Sequence, residues 1–288
     1  MEHFEKITIQ IVIYEETLET ISKCLNNLKN FKVIILDNAN NYKLKDELIK
    51  KYKIQKYILE KKNIGYSKGH NKIASYVDTE YILILNADCL IDEKNIFTLY
   101  EVHKNNLNCG VVGPTTYDKN NNLTFNGGLL PENGSKLKTT NIEGNTCFQS
   151  ILGSSMLLRK EDFLKIGMFD ERLFLFYSDD DLCRKFKNLK KSVIQAFNAR
   201  AIHTHGINKV KNIFKGTFLK EFYMTFDELQ YYLISGNHQD KFYNLKSKIS
   251  NYCVKFFINL FLFKINKSVL YFSRIIAYNK FRKKIRNR

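Results

Sequence analysis

At 288 residues, with 44% apolar and 26% charged residues, the chain can bury a sizeable core, and wholesale disorder is excluded. The formal net charge of +17 is lopsided: residues 209–288 hold 17 Lys+Arg against 4 Asp+Glu, whereas residues 1–208 hold 29 against 25. A nearly neutral body with a basic tail points to an anionic partner, whether membrane phospholipid, nucleic acid or an anionic polymer.

The first predicted element is the β-branched run Ile7 to Tyr14, a buried strand. Leu18, Ile21, Leu25 and Leu28 then fall at helical spacing. Val33 to Leu36 predicts a second strand, closed by Asp37-Asn38-Ala39-Asn40. Leu44 to Tyr52 reads as helix and Lys56 to Leu59 as a short strand. Asn63 to Asn71 is a polar loop, punctuated by Gly65 and Gly69, that opens a helix toward Val77. Tyr81 to Leu85 is another strand, ending in Asn86-Ala87-Asp88, and Ile96 to Asn105 another helix. Val111 to Pro114 reads as a short strand and turn. This alternation implies an α/β fold with a mostly parallel, doubly wound sheet. Ligands of such sheets bind beyond the carboxyl ends of the strands. Tyr14-Glu15, Asp37-Asn38 and Asn86-Ala87-Asp88 are therefore expected along one edge.

Asp118 to Asn145 is rich in Asn, Gly and Thr, a hairpin or loop region. Glu161 to Ile166 is a short helix, and Ser178-Asp179-Asp180-Asp181 opens another. Ser192 to Phe197 predicts a strand, followed by His203-Thr204-His205-Gly206. In the basic tail, Ile249, Tyr252, Cys253, Phe256, Phe257, Leu260 and Phe263 fall on one helical stripe opposite Lys248, Asn251, Lys255 and Asn259. That is the pattern of an interfacial membrane helix. No window of about 18 uncharged apolar residues exists, so no spanning helix is expected. The nearest, Tyr252 to Ile265, contains Lys255 and Lys264. The charged start, Met1 to Lys6, is not that of a signal peptide. Six cysteines without a C-x-x-C pair, mostly among apolar neighbours, fit reduced thiols and the cytoplasm.

Several polar residues can carry chemistry. Asp88, just past a buried strand, reads either as a ligand to a divalent cation or as a helix N-cap, a role open to Asp92 too. Asp37 reads as a contact to base or ribose, or as a cap of its own turn. The Asn63–Asn71 loop matches neither a Walker loop nor a dinucleotide fingerprint. Three successive aspartates, Asp179 to Asp181, exceed what a helix start needs electrostatically. A carboxylate there suits a general base for a sugar hydroxyl, or a further metal ligand. His203 and His205 suit metal or diphosphate contact, or a structural role.

Taken in order, these segments resemble the family-2 glycosyltransferases of the GT-A fold, especially bacterial rhamnosyltransferase-like enzymes of surface polysaccharide synthesis. The matching segments include Ile34-Ile35-Leu36-Asp37-Asn38-Ala39, Asn63-Ile64-Gly65-Tyr66, Leu85-Asn86-Ala87-Asp88, Gly153-Ser154-Ser155-Met156, Gly167-Met168-Phe169-Asp170-Glu171 and Ser178-Asp179-Asp180-Asp181-Leu182-Cys183. The resemblance runs from about residue 7 to 206. It implies a GT-A (Rossmann-like), mostly parallel sheet flanked by helices, to which the tail's own pattern adds a basic C-terminal helical extension. Residues 1–208 would form the catalytic domain, with a nucleotide-sugar half to about 114 and an acceptor half from about 115. Residues 209–288 would contact membrane or a second copy.

The resemblance also implies site roles. Tyr14, Glu15 and Asp37, with Asn63, Gly65, Asn71, Asn86 and Ala87, would bind the nucleotide sugar. Asp88, with His203 or His205, would hold Mn2+ or Mg2+. Asp179, or alternatively Asp180, would be the catalytic base. Gly153, Ser154, Ser155 and Asp181 would face the acceptor. The implied reaction is inverting transfer from a nucleoside-diphosphate sugar to a hydroxyl of a glycan or lipid-linked glycan. Asn86 and Ser178 depart from the family's usual Asp and Glu. The expected setting is cytoplasmic, at the anionic inner-membrane surface, without nucleic acid and with a homo-oligomer open. The competing reading is a basic nucleic-acid- or membrane-binding protein without transferase activity.

Overall fold

The apolar run Ile7–Ile13 forms β1, with Ile7, Ile9, Ile11 and Ile13 buried on one face and Thr8 and Gln10 buried on the other. Thr8 accepts the Thr79 hydroxyl at 2.8 Å, and the Gln10 Oε1 accepts from His70 Nδ1 at 3.1 Å. Lys32–Asp37 is β2, Lys56–Leu59 is β3 and Tyr81–Leu85 is β4, all parallel to their neighbours in the order β3-β2-β1-β4. Side chains alternate across this sheet. Val33, Ile35, Leu83 and Leu85 enter one core layer, and Ile34, Leu36, Ile82 and Ile84 the other. Helices α1 (Leu18–Leu25), α2 (Tyr42–Lys51) and α4 (Glu93–Lys104) cover the first layer. Helix α3 (Tyr66–Ala74) covers the second.

The rest of the sheet is mixed. β5 (Cys89–Leu90), β7 (Thr146–Phe148) and β8 (Ser155–Arg159) run antiparallel to their partners, while β6 (Cys109–Tyr117) and β9 (Ser192–His203) run parallel to each other. The mostly parallel character expected of the sheet is carried by the first four strands and by the β6–β9 pair. The turn expected at Pro114 is instead a register shift inside β6, where Pro114 faces Ala196 and Thr115 faces Arg200. A proline has no N–H for the ladder, so it sits where the ladder breaks. Helices α5 (Lys160–Lys165) and α6 (Ser178–Asn188) join the second layer through Phe163, Leu182, Cys183 and Phe186.

The computed structural model describes residues 4–124, 127–134, 142–204, 213–236 and 244–287. Within them are two compact units, one of Met1–Asp170 with Ser178–Gly206, the other of Glu171–Tyr177 with Ile207–Arg288. The second unit contains α7 (Ile213–Ser235), α8 (Leu245–Phe261) and α9 (Ile265–Arg286). Its core is Phe222, Phe226, Leu229, Leu245, Tyr278 and Phe281. Arg274 holds Glu221 through two hydrogen bonds, at 2.8 and 3.0 Å. Fully buried Asp227 on α7 accepts backbone N–H bonds from Phe174, Leu175 and Phe176, at 2.8–3.2 Å. Burial of its carboxyl outweighs those bonds and raises its pKa to about 6. No helix of the described residues is long and apolar enough to cross a membrane.

Candidate active site

The two-residue strand β5 fixes one corner of the site. Its ladder with β9 sets Cys89 opposite His203, 114 positions later in the chain. His203 Nε2 thereby lies 3.3 Å from Asp88 Oδ1, with side chains only 10% and 18% exposed. The Asp88 carbonyl accepts bonds from the Thr204 N–H and hydroxyl, at 3.0 and 3.1 Å, which holds the corner closed. Asp88 caps no helix: the N-cap of α4 is Asp92, which accepts from the Asn95 N–H at 2.8 Å. His205 lies outside the described residues.

Glu16 joins this corner and was missed by the sequence reading, which singled out its neighbour. Glu15 is exposed, in the left-handed region at φ 54°. The Glu16 carboxyl is pushed up to about 7, first by burial and then by the negative charge of Asp88. Its only sequence signal was a second carboxylate directly after β1.

The second corner is the start of α6. Asp180 and Asp181 are buried, at 1% and 0% exposure, while Asp179 is half-buried. Asp179 Oδ2 accepts the Gly153 N–H at 2.9 Å, and Oδ1 accepts the Asp180 N–H at 3.1 Å. Asp180 accepts from the Ser150 hydroxyl at 2.7 Å. Tyr66 donates its hydroxyl to the Gly153 carbonyl at 2.9 Å. The next residue, Ser154, accepts the Asn86 N–H through its carbonyl at 2.9 Å. The dipeptide Gly153-Ser154 thus bridges the end of β4, which carries Asp88, to the helix that carries Asp179.

Other expected site residues make polar contacts within the chain or lie buried. Asp181 is paired with Arg184 and with Lys185, the latter at 3.3 Å, and so braces the start of α6. Asn71 clamps the backbone of Phe169, donating to its carbonyl at 2.9 Å and accepting its N–H at 3.0 Å. Ser154 and Ser155 are buried, so of that segment only Gly153 reaches half exposure. Asp37, 1% exposed, accepts from the Ala39 and Asn41 N–H groups and from the Tyr57 hydroxyl. Asn63 accepts the Gly65 N–H at 2.9 Å, and Gly65 caps α3 at φ 86°, where a side chain would be strained.

The Asp88 corner fits a divalent cation as a partial donor set. A carboxylate suits Mn2+ and Mg2+, and an imidazole beside it favours the softer Mn2+ of the two. Among the described residues no group of three or more His, Cys, Asp and Glu side chains forms a cage. A cation here would take its remaining ligands from water and substrate phosphate, as Mg2+ commonly does.

The family model described as Glycosyl transferase family 2 matches residues 8–167, more than half of the chain. The chain belongs to glycosyltransferase family 2. This family 2 member is 29% identical over 208 residues to the dTDP-rhamnosyl transferase RfbF of Shigella flexneri, covering 70% of each chain. It is 24% identical over 218 residues to the rhamnosyltransferase WbbL of Escherichia coli K12, covering 66% of this chain and 81% of that one. It is 24% identical over 224 residues to the low-salt glycan biosynthesis hexosyltransferase Agl10 of Haloferax volcanii, covering 72% and 70%. Two solved structures share the GT-A fold. They are GalNAc-T7 with UDP, GalNAc and Mn2+ (TM-score 0.58, 14% identity) and the mannosyltransferase PcManGT of Pyrobaculum calidifontis with GDP-Man and Mn2+ (0.57, 12%). They align with 80% and 81% of this chain, which spans 51% and 64% of theirs. A family 2 glycosyltransferase transfers sugar in glycan synthesis, and that activity is the frame for the site.

Proposed function

We propose that the chain is an inverting, metal-dependent hexosyl- or deoxyhexosyltransferase. It moves the sugar of a nucleoside-diphosphate donor to a hydroxyl of a glycan or lipid-linked glycan, in bacterial surface polysaccharide or glycoconjugate synthesis. One observation carries this reading: the Gly153-Ser154 bridge ties the Asp88–His203 corner to half-buried Asp179. The named relatives put dTDP-rhamnose first among donors to test.

The residues divide the work as follows. Tyr14, Glu15, Asp37 and the Asn63–Gly65 turn frame the nucleotide, with Asn86 and Ala87 beneath the ribose. Asp88 and His203, with Glu16 near them, hold Mn2+ or Mg2+, which when bound neutralises the diphosphate. Asp179 takes the proton of the acceptor hydroxyl as that oxygen bonds to the anomeric carbon. The bond from that carbon to the phosphate oxygen breaks, and its electron pair leaves on the diphosphate. The configuration inverts because attack and departure occupy opposite faces. Asp180, buried against Ser150, is the weaker candidate for the base.

The first unit serves as the catalytic domain. The basic C-terminal region contacts the anionic inner membrane, so that a cytoplasmic enzyme meets a membrane-anchored acceptor; a second copy is the alternative partner for that region. The test is a thermal-shift screen of nucleoside diphosphates and nucleotide sugars with Mn2+ and with Mg2+, followed by transfer from the stabilising donor. A protein stabilised by no nucleotide under either metal would defeat this reading.

A further inference from the structure

The helix α8 has two apolar faces, and the sequence stripe merged them. Ile249, Tyr252 and Phe256 lie partly buried; Ile249 and Tyr252 pack on the core of the second unit, and Phe256 lies against the Phe272 ring. Val254, Phe257, Ile258 and Phe261 recur at i, i+3, i+4 and i+7 and are 51–83% exposed. This outward stripe runs into the corner between α8 and α9, where all eight residues from Leu260 to Lys267 are exposed. Phe261 and Phe263 are 83% and 87% exposed.

Phe263 is the informative residue. It takes the left-handed conformation after a helix, at φ 54°, where glycine is the usual occupant and a bulky side chain is disfavoured. Its ring is almost fully exposed, so packing within the chain does not offset that cost. The backbone bonds that close the helix there, from the Phe263 N–H to the Leu260 carbonyl at 3.1 Å and from the Lys264 N–H to the Asn259 carbonyl at 2.8 Å, would form equally with glycine.

We propose that the Leu260–Lys267 corner inserts into the headgroup–acyl boundary of an anionic lipid bilayer. Leu260, Phe261, Leu262, Phe263 and Ile265 enter the apolar zone, and Lys264 and Lys267 meet lipid phosphates. The argument is charge complementarity joined to apolarity. Between Lys241 and Arg288 the sequence holds 13 Lys+Arg and no Asp or Glu. A second copy would bring the same charge to the same face, whereas an anionic bilayer supplies both the opposite charge and the hydrocarbon. Lying in the interface suits helices that are too polar to span. The inference rests on the proposed membrane contact of the C-terminal region and is independent of the donor and the base.

The absence of tryptophan from the chain makes the test direct. Phe261→Trp and Phe263→Trp each place one reporter at the corner of the full-length protein. With vesicles of phosphatidylglycerol and phosphatidylethanolamine, emission should move to shorter wavelength and be quenched by lipids brominated on the acyl chain. Phe263→Gly should keep or raise the melting temperature yet lose flotation with these vesicles; a merely structural phenylalanine would lower it. Each lysine replaced by glutamine should weaken binding about fivefold. If the wild type floats and the tryptophans neither shift nor quench, another surface binds membrane and the corner proposal is wrong. If the wild type does not float at all, the membrane reading falls with it. Self-association abolished by Phe261→Glu, with no vesicle binding, would assign the corner to a dimer and overturn the proposal.

Discussion

Gly153 donates its backbone N–H to Asp179 at 2.9 Å, and a Cβ built on Gly153 would lie 2.9 Å from the Asp179 Cβ. The position tolerates no side chain without moving the carboxylate proposed as base. Gly153→Ala should therefore lower kcat about 10–100-fold, since displacement by about an ångström costs that much in oriented reactions. Donor affinity, measured by calorimetry, should change little. Unchanged turnover would mean that the Asp179 position is not critical.

The choice between Asp179 and its neighbour can be made by separating activity from stability. Asp179→Asn should keep donor binding and lose at least about 100-fold in transfer rate. Asp180→Ala strips the Ser150 hydroxyl of its buried acceptor and should cost about 1–3 kcal/mol of stability. Its turnover per folded molecule should fall far less. The reverse ranking in a rate assay would move the base to Asp180.

Removing the metal tests the other corner. Chelation should abolish transfer and donor binding together, with Mn2+ restoring both. Asp88→Ala and His203→Ala should each weaken metal-dependent donor binding about 10-fold or more, read by titration calorimetry. Donor binding equal with and without metal in the wild type would argue that these residues serve structure alone.

Asp227 gives the second unit a pH dependence. Its pKa rises from 3.8 to about 6 on folding, so between those values the native state binds the proton more tightly than the unfolded chain. The stabilisation is fully present below pH 3.8 and is lost as pH rises through about 6. The interval corresponds to about 3 kcal/mol. The wild type, compared with Asp227→Asn in denaturant unfolding, should gain up to that amount as pH falls from 7 to 4. A pH-independent difference between the two proteins would contradict the assignment.

Much of this fold is legible in the sequence where the period is long and cleanly bounded. The bounds expected for Lys56–Leu59 and Tyr81–Leu85 coincide with β3 and β4. β5 and β7, with two and three residues, are too short to carry a period. β9 continues past Phe197 through Asn198 and Arg200, polar residues that disguise a strand. The site was legible as a set of residue types and not as contacts. Asp88 meets His203 only through the β5–β9 ladder. Asp179 differs from Asp180 and Asp181 in burial and in partners, to which three identical side chains in a row give no clue.

The segment Glu171–Tyr177 belongs with the C-terminal helices, although it is translated between Asp170 and the helix that begins at Ser178. Phe174 stacks on Tyr223 at 4.0 Å, Tyr177 lies 5.6 Å from Tyr231, and Asp227 caps the backbone between them. Those two stretches of gene are bound to drift together. Among relatives, substitutions at 173, 174 and 177 should track those at 223, 227 and 231. A recombinant that acquires a foreign tail without its matching seven-residue segment should be the one that selection discards.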